Sequence, residues 1–356
     1  MSNTQNQIKM LKKEVAPFEK VDTKASVIQI LNTILPFFLL WFLAYKSLSV
    51  SMFLTIPILL VASGLLVRIF IIFHDCCHSS FFTSSKANDI LGTITGILTV
   101  VPYRQWKHSH SVHHATSSNL DKRGTGDMWL LTVDEYIAAP LWKKAYYRIY
   151  RNPFFMFCIG PIAVFLIQYR FNRKGAKRKE RVNTYITNFF IVLISAIMCY
   201  SIGWQNFLFI QGFVFFVSGV MGIWLFYVQH QFEDSYFEHE EEWNYVQAAV
   251  EGSSFYKLPK VLQWITGSIG YHHVHHLAPR VPNYNLEKAH NETLPLQKAT
   301  TITLLTSLKS LKFRVWDEKT KTFLSFKEMK RSLKQADTRV SSVKMNLKAK
   351  NPKLAE

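Results

Sequence analysis

Residues 68–78 read Arg-Ile-Phe-Ile-Ile-Phe-His-Asp-Cys-Cys-His, an apolar run that ends in two histidines four positions apart. Residues 110–114 (His-Ser-Val-His-His) and 272–276 (His-His-Val-His-His) repeat histidines at i, i+3 and i+4. On a helix these offsets fall on one face, so we expect each cluster to direct its imidazoles at a single point. The eight histidines with this spacing are His74, His78, His110, His113, His114, His272, His275 and His276.

The number and type of these side chains predict a dinuclear metal site. Neutral imidazole is a good ligand for iron, zinc and copper. Eight converging rings are too many for one metal ion of ordinary coordination number and suit two. The chain has 13 histidines, and random placement would rarely gather eight of them in three short windows. The alternative is that each is a surface or core histidine without a shared partner.

The composition predicts a membrane protein. The 356 residues are 49% hydrophobic and 15% aromatic, yet the net charge is +18. This combination fits apolar segments in a bilayer with basic loops that face an anionic leaflet. We expect no nucleic-acid partner, because the basic residues flank apolar segments and no nucleic-acid-binding motif occurs. We expect no cleavable signal peptide, since the first 25 residues are polar. The cysteines lack a disulfide pattern, which indicates a reducing compartment.

Four stretches are apolar and long enough to cross a bilayer, which takes about 20 residues. They cover about 28–47, 51–72, 183–202 and 207–228 and form two hairpins. Nearly all Lys and Arg lie outside the two tight hairpin loops. The positive-inside rule therefore places both termini, the middle segment and the histidine clusters on the cytoplasmic side of the cell membrane.

Two shorter apolar stretches, about 88–103 and 153–169, contain Gly or Pro. If both crossed the bilayer, the second histidine cluster would face the opposite side from the first and third. One metal site could not then use all three clusters. We therefore predict that both stretches lie in the interface or dip in and return.

His230 directly follows the fourth apolar stretch and is a candidate ninth ligand, the alternative being a lone interfacial histidine. Asp75, Glu233 and Asp234 are candidates for carboxylates that orient ligand rings through their N–H groups. Alternatively, Asp75 caps or pairs with a basic neighbour, and the other two are solvated. The histidines that we interpret as non-ligands are His108, His239, His273 and His290.

Three further features admit two interpretations each. Trp106 and Trp129 flank the second cluster and either line an acyl tunnel or anchor interfacial helices. Residues 121–127 (Asp-Lys-Arg-Gly-Thr-Gly-Asp) resemble a phosphate-binding loop but lack the P-loop arrangement, so we expect a turn with possible headgroup contact. Residues 282–284 (Pro-Asn-Tyr) either shape the mouth of the site or form a structural turn.

These patterns predict an all-α polytopic protein: four transmembrane helices in two hairpins, interfacial helices, and a cytosolic helical cap that holds the metal site. We expect a cytosolic segment at 1–25, a membrane domain at 26–330 and a basic tail at 331–356 that is disordered from about 340. Zinc could activate water for hydrolysis. Nine imidazoles at a membrane surface suit redox-active iron better, with O₂ as the oxidant and an acyl chain as the substrate.

The series HxxxH, HxxHH, HxxHH after membrane hairpins resembles the membrane fatty-acid desaturase and hydroxylase superfamily. The similarity extends through residues 68–78, 105–127 and 270–284 and is closest to bacterial acyl-lipid desaturases, in particular the Δ5 type associated with cold adaptation. It covers about residues 10–330.

The resemblance implies that the eight clustered histidines, together with His230, ligate two irons. It implies an enzyme that forms a cis double bond in a saturated acyl chain of a membrane phospholipid and reduces O₂ to water. Electrons would come from a separate small acidic carrier, ferredoxin or flavodoxin, because the chain has neither iron–sulfur cysteine spacing nor a dinucleotide fingerprint.

Three other functions remain open at this point. A membrane diiron hydroxylase would share the metal core and differ in its product, an alcohol instead of an alkene. A metal transporter is disfavoured because transporters place ligands near the bilayer midplane, whereas the four apolar stretches contain no histidine. A membrane anchor with an empty site would contain no iron.

Overall fold

The computed structural model describes residues 10–335 and 338, so residues 1–9 and nearly all of the predicted tail lie outside the described part. The described part is mostly helical, as predicted. In chain order the α-helices are α1 (Thr23–Ser47), α2 (Met52–His78), α3 (Ser85–Leu98), α4 (Tyr103–Thr116), α5 (Val133–Ala138), α6 (Leu141–Tyr150), α7 (Arg178–Ile202), α8 (Trp204–His230), α9 (Tyr245–Val250), α10 (Lys260–Ile265), α11 (His272–Leu277), α12 (Leu286–Glu292) and α13 (Leu304–Ser307).

Residues 326–335 are also helical, and the described part further contains short strands and tight helical turns. The strand β1 (Phe255–Lys257) pairs in parallel with β2 (Thr301–Thr303), and β3 (Val315–Asp317) pairs antiparallel with β4 (Thr322–Leu324). The 3-10 turns are Ala16–Glu19, Gln168–Arg170, Asn283–Asn285, Leu294–Lys298 and Leu308–Lys312, and the π-helical turns are Phe155–Ile159 and Ile162–Ile167.

The helices α1, α2, α7 and α8 are long and apolar enough to cross a membrane, which confirms the four predicted spans. The turn between α7 and α8 is Gly203 at φ 83°, a conformation that glycine adopts without strain. Of the four, α2 is the most enclosed and α7 the least. The central position of α2 fixes the end of that helix, and with it the first histidine cluster, against neighbours on several sides.

The segment 141–170 does not cross the membrane as a straight helix. Its two parts, Leu141–Tyr150 and Phe155–Arg170, meet at an angle of 69°. Pro161 packs so closely on α8 that a Cβ added at Gly219 would lie 2.8 Å from the proline Cβ. Such a bend occurs both in a segment that returns to its own side and in a broken span, so the interfacial position of residues 153–169 remains a prediction. All three histidine clusters lie together at one end of the bundle.

The third cluster is positioned by close backbone packing. The Tyr256 N–H of β1 donates to Gly270 O at 2.7 Å, and Gly270 directly precedes the pair Tyr271–His272. On the opposite side, the buried Arg68 of α2 donates to Thr33 Oγ1 and to the carbonyl of Trp264 at the end of α10. The segment of chain that leads into α11 is thus held both by β1 and by the α1–α2 hairpin.

We expect Gly270→Ala to displace the third cluster. The added Cβ would lie 2.4 Å from the backbone oxygen of Tyr256, and a backbone atom cannot give way as a flexible side chain can. Overpacking of this kind costs about 1–3 kcal/mol or more. The measurement is the thermal unfolding temperature and bound metal of purified protein. Gly222→Ala in α8 is the matched control, because no atom lies within 4 Å of its added Cβ, and an equal loss in both variants would contradict the prediction.

Candidate metal centre

Four separate elements bring histidines to one end of the helical bundle. The first cluster ends α2, and His230 is the last residue of α8. The second cluster lies on α4 and the third on α11. The nine side chains come within contact distance of one another, so the structure places all predicted ligands, including His230, in a single region.

The nine histidines form two adjacent groups, and eight of them have ring nitrogens close enough to share metal ions. Five of these eight form what we call the five-histidine group. The other three, together with His272, form what we call the His230 group. The Nε2 atom of His272 lies 2.9 Å from that of His230. The five-histidine group contains His74, His78, His110, His114 and His275, and the His230 group contains His113, His230, His276 and His272.

The expectation that each cluster points at a single centre is wrong for the second and third clusters. Each i, i+4 pair stays together: His110 with His114, and His272 with His276. The remaining residue of each cluster, His113 or His275, joins the other group. The reason is geometric, because adjacent residues on a helix project about 100° apart. His113 and His114 therefore cannot face one centre, and each HxxHH cluster contributes to both groups.

The spacing of the ring nitrogens fits metal ligation. The Nε2–Nε2 distances are 3.0 Å for His110–His114, 2.9 Å for His114–His275 and 3.1 Å for His113–His230. A metal–imidazole bond of about 2.1 Å places two ligand nitrogens at right angles about 3 Å apart. Among the described residues, the buried Nε2 atoms of His78 and His276 have no hydrogen-bond partner. A buried nitrogen without a partner costs free energy, which a metal ion would recover.

Several of the rings are held in the neutral form that metals bind. Burial, with repulsion from neighbouring rings as the next cause, lowers the pKa of several of these histidines well below its usual value. A lowered pKa means that a proton does not compete with a metal for the lone pair near neutral pH. The histidines outside the membrane-spanning helices that show this shift are His110, His114, His272, His275 and His276.

Hydrogen bonds at the Nδ1 side orient three of the rings. His113 Nδ1 lies 2.6 Å from Asp127 Oδ1, His74 Nδ1 lies 3.2 Å from Asp75 Oδ1, and His230 Nδ1 lies 3.3 Å from the Gly252 carbonyl oxygen. A partner at Nδ1 fixes the tautomer that leaves Nε2 free for a metal. Asp75 had been predicted for this role. Asp127 is an unpredicted partner: it ends the loop 121–127, which bends as expected, and the headgroup contact of that loop remains a prediction.

Asn283 secures the Asp75 carboxylate. Its backbone N–H and its Nδ2 both donate to Asp75 Oδ2, at 2.7 and 2.8 Å. The same side chain exchanges two hydrogen bonds with the amide of Gln29 on α1, and neighbouring Tyr284 accepts from the Asp22 backbone N–H through its hydroxyl. Residues 282–284 are therefore a buried junction between the first span, the first cluster and the loop after the third.

Of the two interpretations of Glu233 and Asp234, the structure favours solvated side chains, because both residues are exposed and neither contacts a histidine of the two groups among the described residues. Glu233 lies at the surface in an ion pair with Lys309 at 2.7 Å. Asp234 has a positive φ of 63° in the turn that follows. The helix α8 ends at His230, and the chain then turns outward. Glu233 and Asp234 are thus close to His230 in the sequence but do not contact the histidines.

The four histidines predicted as non-ligands lie outside both groups. His273 and His290 pair with each other at 3.0 Å, and His239 bridges Asp121 and Glu318 at the surface. His108 is partly exposed on α4. Their positions agree with that interpretation.

The two tryptophans near the second cluster have separate roles. Trp106 stacks on the His110 ring at 4.1 Å and lies against Phe73, so it supports a ligand ring instead of anchoring a helix at the interface. Trp129 packs edge-on against Tyr147 of α6 at 4.9 Å.

The family model for fatty acid desaturases matches residues 26–304. The chain belongs to the fatty acid desaturase family. It is 65% identical over 322 residues to a fatty acid desaturase of Bacillus subtilis, a match that covers 90% of this chain and 92% of the relative. It is 26% identical over 299 residues to an sn-1 oleoyl-lipid 12-desaturase of Synechocystis, with 80% of each chain covered. A chloroplastic omega-6 fatty acid desaturase of Glycine max is 30% identical over 62% of this chain and 52% of the relative.

Membership confirms the resemblance seen in the sequence and makes the chain an oxidoreductase of the desaturase class. It also gives the histidine groups a chemical context, since a membrane desaturase needs a redox centre close to lipid. The double-bond position differs among the names of the relatives, so the family alone does not give that position.

We expect Asp127→Asn to weaken metal binding about 10–100-fold, the usual effect of removing a partner that orients a ligand ring. The amide keeps the size of the side chain but replaces the charged acceptor at His113 Nδ1. The measurement is metal retained per chain against a competing chelator. Asp134→Asn, at an exposed residue in the first turn of α5, is the matched control, and equal retention in both variants would show that Asp127 does not support the centre.

Proposed function

We propose that the chain is an O₂-dependent acyl-lipid desaturase that introduces a cis double bond at Δ5 into saturated acyl chains of membrane phospholipids. The observation that carries the proposal is the convergence of nine histidines, eight of them buried, in two groups at one end of a membrane-helix bundle. The 65% identity to a Bacillus fatty acid desaturase supports the reaction class.

The nine histidines would hold two iron ions, with His113, His230, His272 and His276 around one and the five-histidine group around the other. Bound iron would supply O₂ activation and the removal of two hydrogens from the acyl chain. The protein provides neutral nitrogen ligands, and Asp75, Asp127 and the Gly252 carbonyl fix ring orientation. Burial of the rings excludes bulk water from the oxidant.

The substrate would reach the histidines from the bilayer. The α2 and α8 helices run from the membrane directly into His74 and His230, so an acyl chain that follows their surfaces arrives at both groups. The depth to which the chain enters would select the methylene pair that reacts. The double-bond position is thus a matter of geometry, since neighbouring C–H bonds of a saturated chain have nearly equal reactivity.

The remaining assignments follow from charge and topology. We infer a cell-membrane enzyme with residues 26–330 as its membrane domain and the histidines on the cytoplasmic side, where the positive-inside rule places the basic loops. Two electrons would come from ferredoxin or flavodoxin, because a small acidic carrier is attracted to a chain with a net charge of +18.

We predict that His110→Ala abolishes double-bond formation and lowers bound iron, because His110 belongs to the five-histidine group. His108→Ala is the matched control on the same helix, with a partly exposed histidine outside both groups, and should retain both properties. Iron per chain and acyl-chain composition are measured in parallel. Normal iron and product in the His110 variant would remove α4 from the site.

A bacterial host that expresses the chain should accumulate monounsaturated phospholipid acyl chains with the double bond at Δ5, located by gas chromatography–mass spectrometry after derivatisation. Hydroxylated chains instead of alkenes would support a hydroxylase with the same histidine arrangement. A double bond at another carbon would retain the desaturase and overturn the Δ5 assignment. Purified chain without iron would overturn the metal centre itself.

A further inference from the structure

The α6 helix has an outer face made mainly of apolar and aromatic side chains, with the exposed Arg148 at its edge. Leu141 is 83% exposed, Trp142 71%, Tyr146 58% and Ile149 48%. These positions recur at helical spacing, so they lie together on one side of the helix. The face continues into Phe154, which is 62% exposed, after the helix ends. Apart from Tyr146, whose ring also lies 5.6 Å from that of Trp129, these side chains project away from the described part of the chain, and a continuous apolar stripe of this size marks an interaction surface.

The inner face of α6 holds the segment that follows Asp127. Tyr147 is fully buried, and its hydroxyl accepts from the Leu131 N–H at 3.1 Å and donates to the Arg314 carbonyl. The Tyr150 hydroxyl accepts from the Trp129 N–H at 3.1 Å. Since Trp129 is two residues after Asp127, α6 is linked by a short stretch of chain to the carboxylate that orients His113.

The composition and position of this face favour a lipid surface as its partner. Lys143, Lys144 and Arg148 lie on the same helix, as expected for a helix that meets anionic headgroups. Tryptophan and tyrosine favour the interface between headgroups and acyl chains. Beyond α6 the chain bends by 69° into the apolar segment Phe155–Arg170, so the exposed face is continuous with a part of the chain that packs against the membrane helix α8.

We propose that α6 is an interfacial helix, inserted by Leu141, Trp142, Tyr146 and Ile149 at the headgroup–acyl boundary of an anionic bilayer, and that this contact holds Asp127 in place through Trp129 and Leu131. The link to Asp127 rests on the metal centre proposed above, whereas the insertion of α6 does not. Lipid contact thereby becomes part of what orients a ligand histidine.

Insertion is tested with full-length protein in nanodiscs that contain phosphatidylglycerol. Spin labels are placed through Leu141→Cys and Tyr146→Cys in a Cys158→Ser, Cys199→Ser background, because the other two cysteines are buried. We expect a water-soluble nickel chelate to relax these labels several-fold less than a label at Lys319→Cys, in an exposed turn, and about as little as one at Val192→Cys, an exposed position of α7.

Labels as accessible as that at residue 319 would overturn insertion. Shielding that persists in detergent, with spin–spin coupling between copies, would show that a second chain covers the face and would overturn the lipid assignment.

The link to the metal centre is tested by metal retention against a chelator in the same nanodiscs. Trp142→Glu should lower retention several-fold, and Lys319→Glu, the matched control, should not. In an Asp127→Asn background Trp142→Glu should add little, because both changes then act on the same contact. Unchanged retention in Trp142→Glu, or full additivity with Asp127→Asn, would overturn the link. Absence of metal in the unaltered chain would instead overturn the metal centre, while the spin labels would still report whether α6 is inserted.

Discussion

A buried neutral imidazole has one N–H and one lone pair, and both need partners. Here nine imidazole rings, eight of them buried, lie together, and the chain supplies oxygen acceptors for the Nδ1 atoms of His74, His113 and His230. The Nε2 atoms face one another at about 3 Å instead of facing protein donors. A metal ion among the rings would accept several of these lone pairs at once, whereas imidazolium charges at such distances would repel one another. Metal binding would therefore stabilise this region of the fold.

The membrane topology follows from the same condition. Histidines at the ends of α2 and α8 can meet those of α4 and α11 only if the chain returns to one side between each cluster and the next. The hairpin α7–α8 returns in a single step at Gly203. The segment that bends by 69° after α6 lies between the second cluster and His230, and a single crossing there would separate α8 and α11 from α4. The meeting of the histidines thus requires an even number of crossings between successive clusters.

Sequence patterns predicted the features that depend on local spacing. Apolar length predicted the four spans, and the i, i+4 offset correctly paired His74 with His78, His110 with His114 and His272 with His276. Features that depend on how distant loops pack were missed. Asp127 lies on a glycine-containing loop that returns to His113 with no periodic signal, and Glu233 was chosen for its nearness in sequence to His230, after which the chain leaves the site. The distribution of His113 and His275 between the two groups required the relative orientation of α4 and α11, which a single sequence does not contain.

His113 and His275 each belong to a different group from the other two histidines of their own cluster, and this arrangement has a structural consequence. Because neighbouring residues of one helix serve different groups, α4 and α11 each contact both, and the His114 and His276 rings stack at 4.2 Å where the groups meet. A shift of either helix would disturb both groups together. Two independent sites could vary separately, whereas this arrangement fixes their separation through two rigid helices. Such rigidity would suit the proposed dinuclear centre, because the protein would set the distance between two metal ions before any substrate arrives.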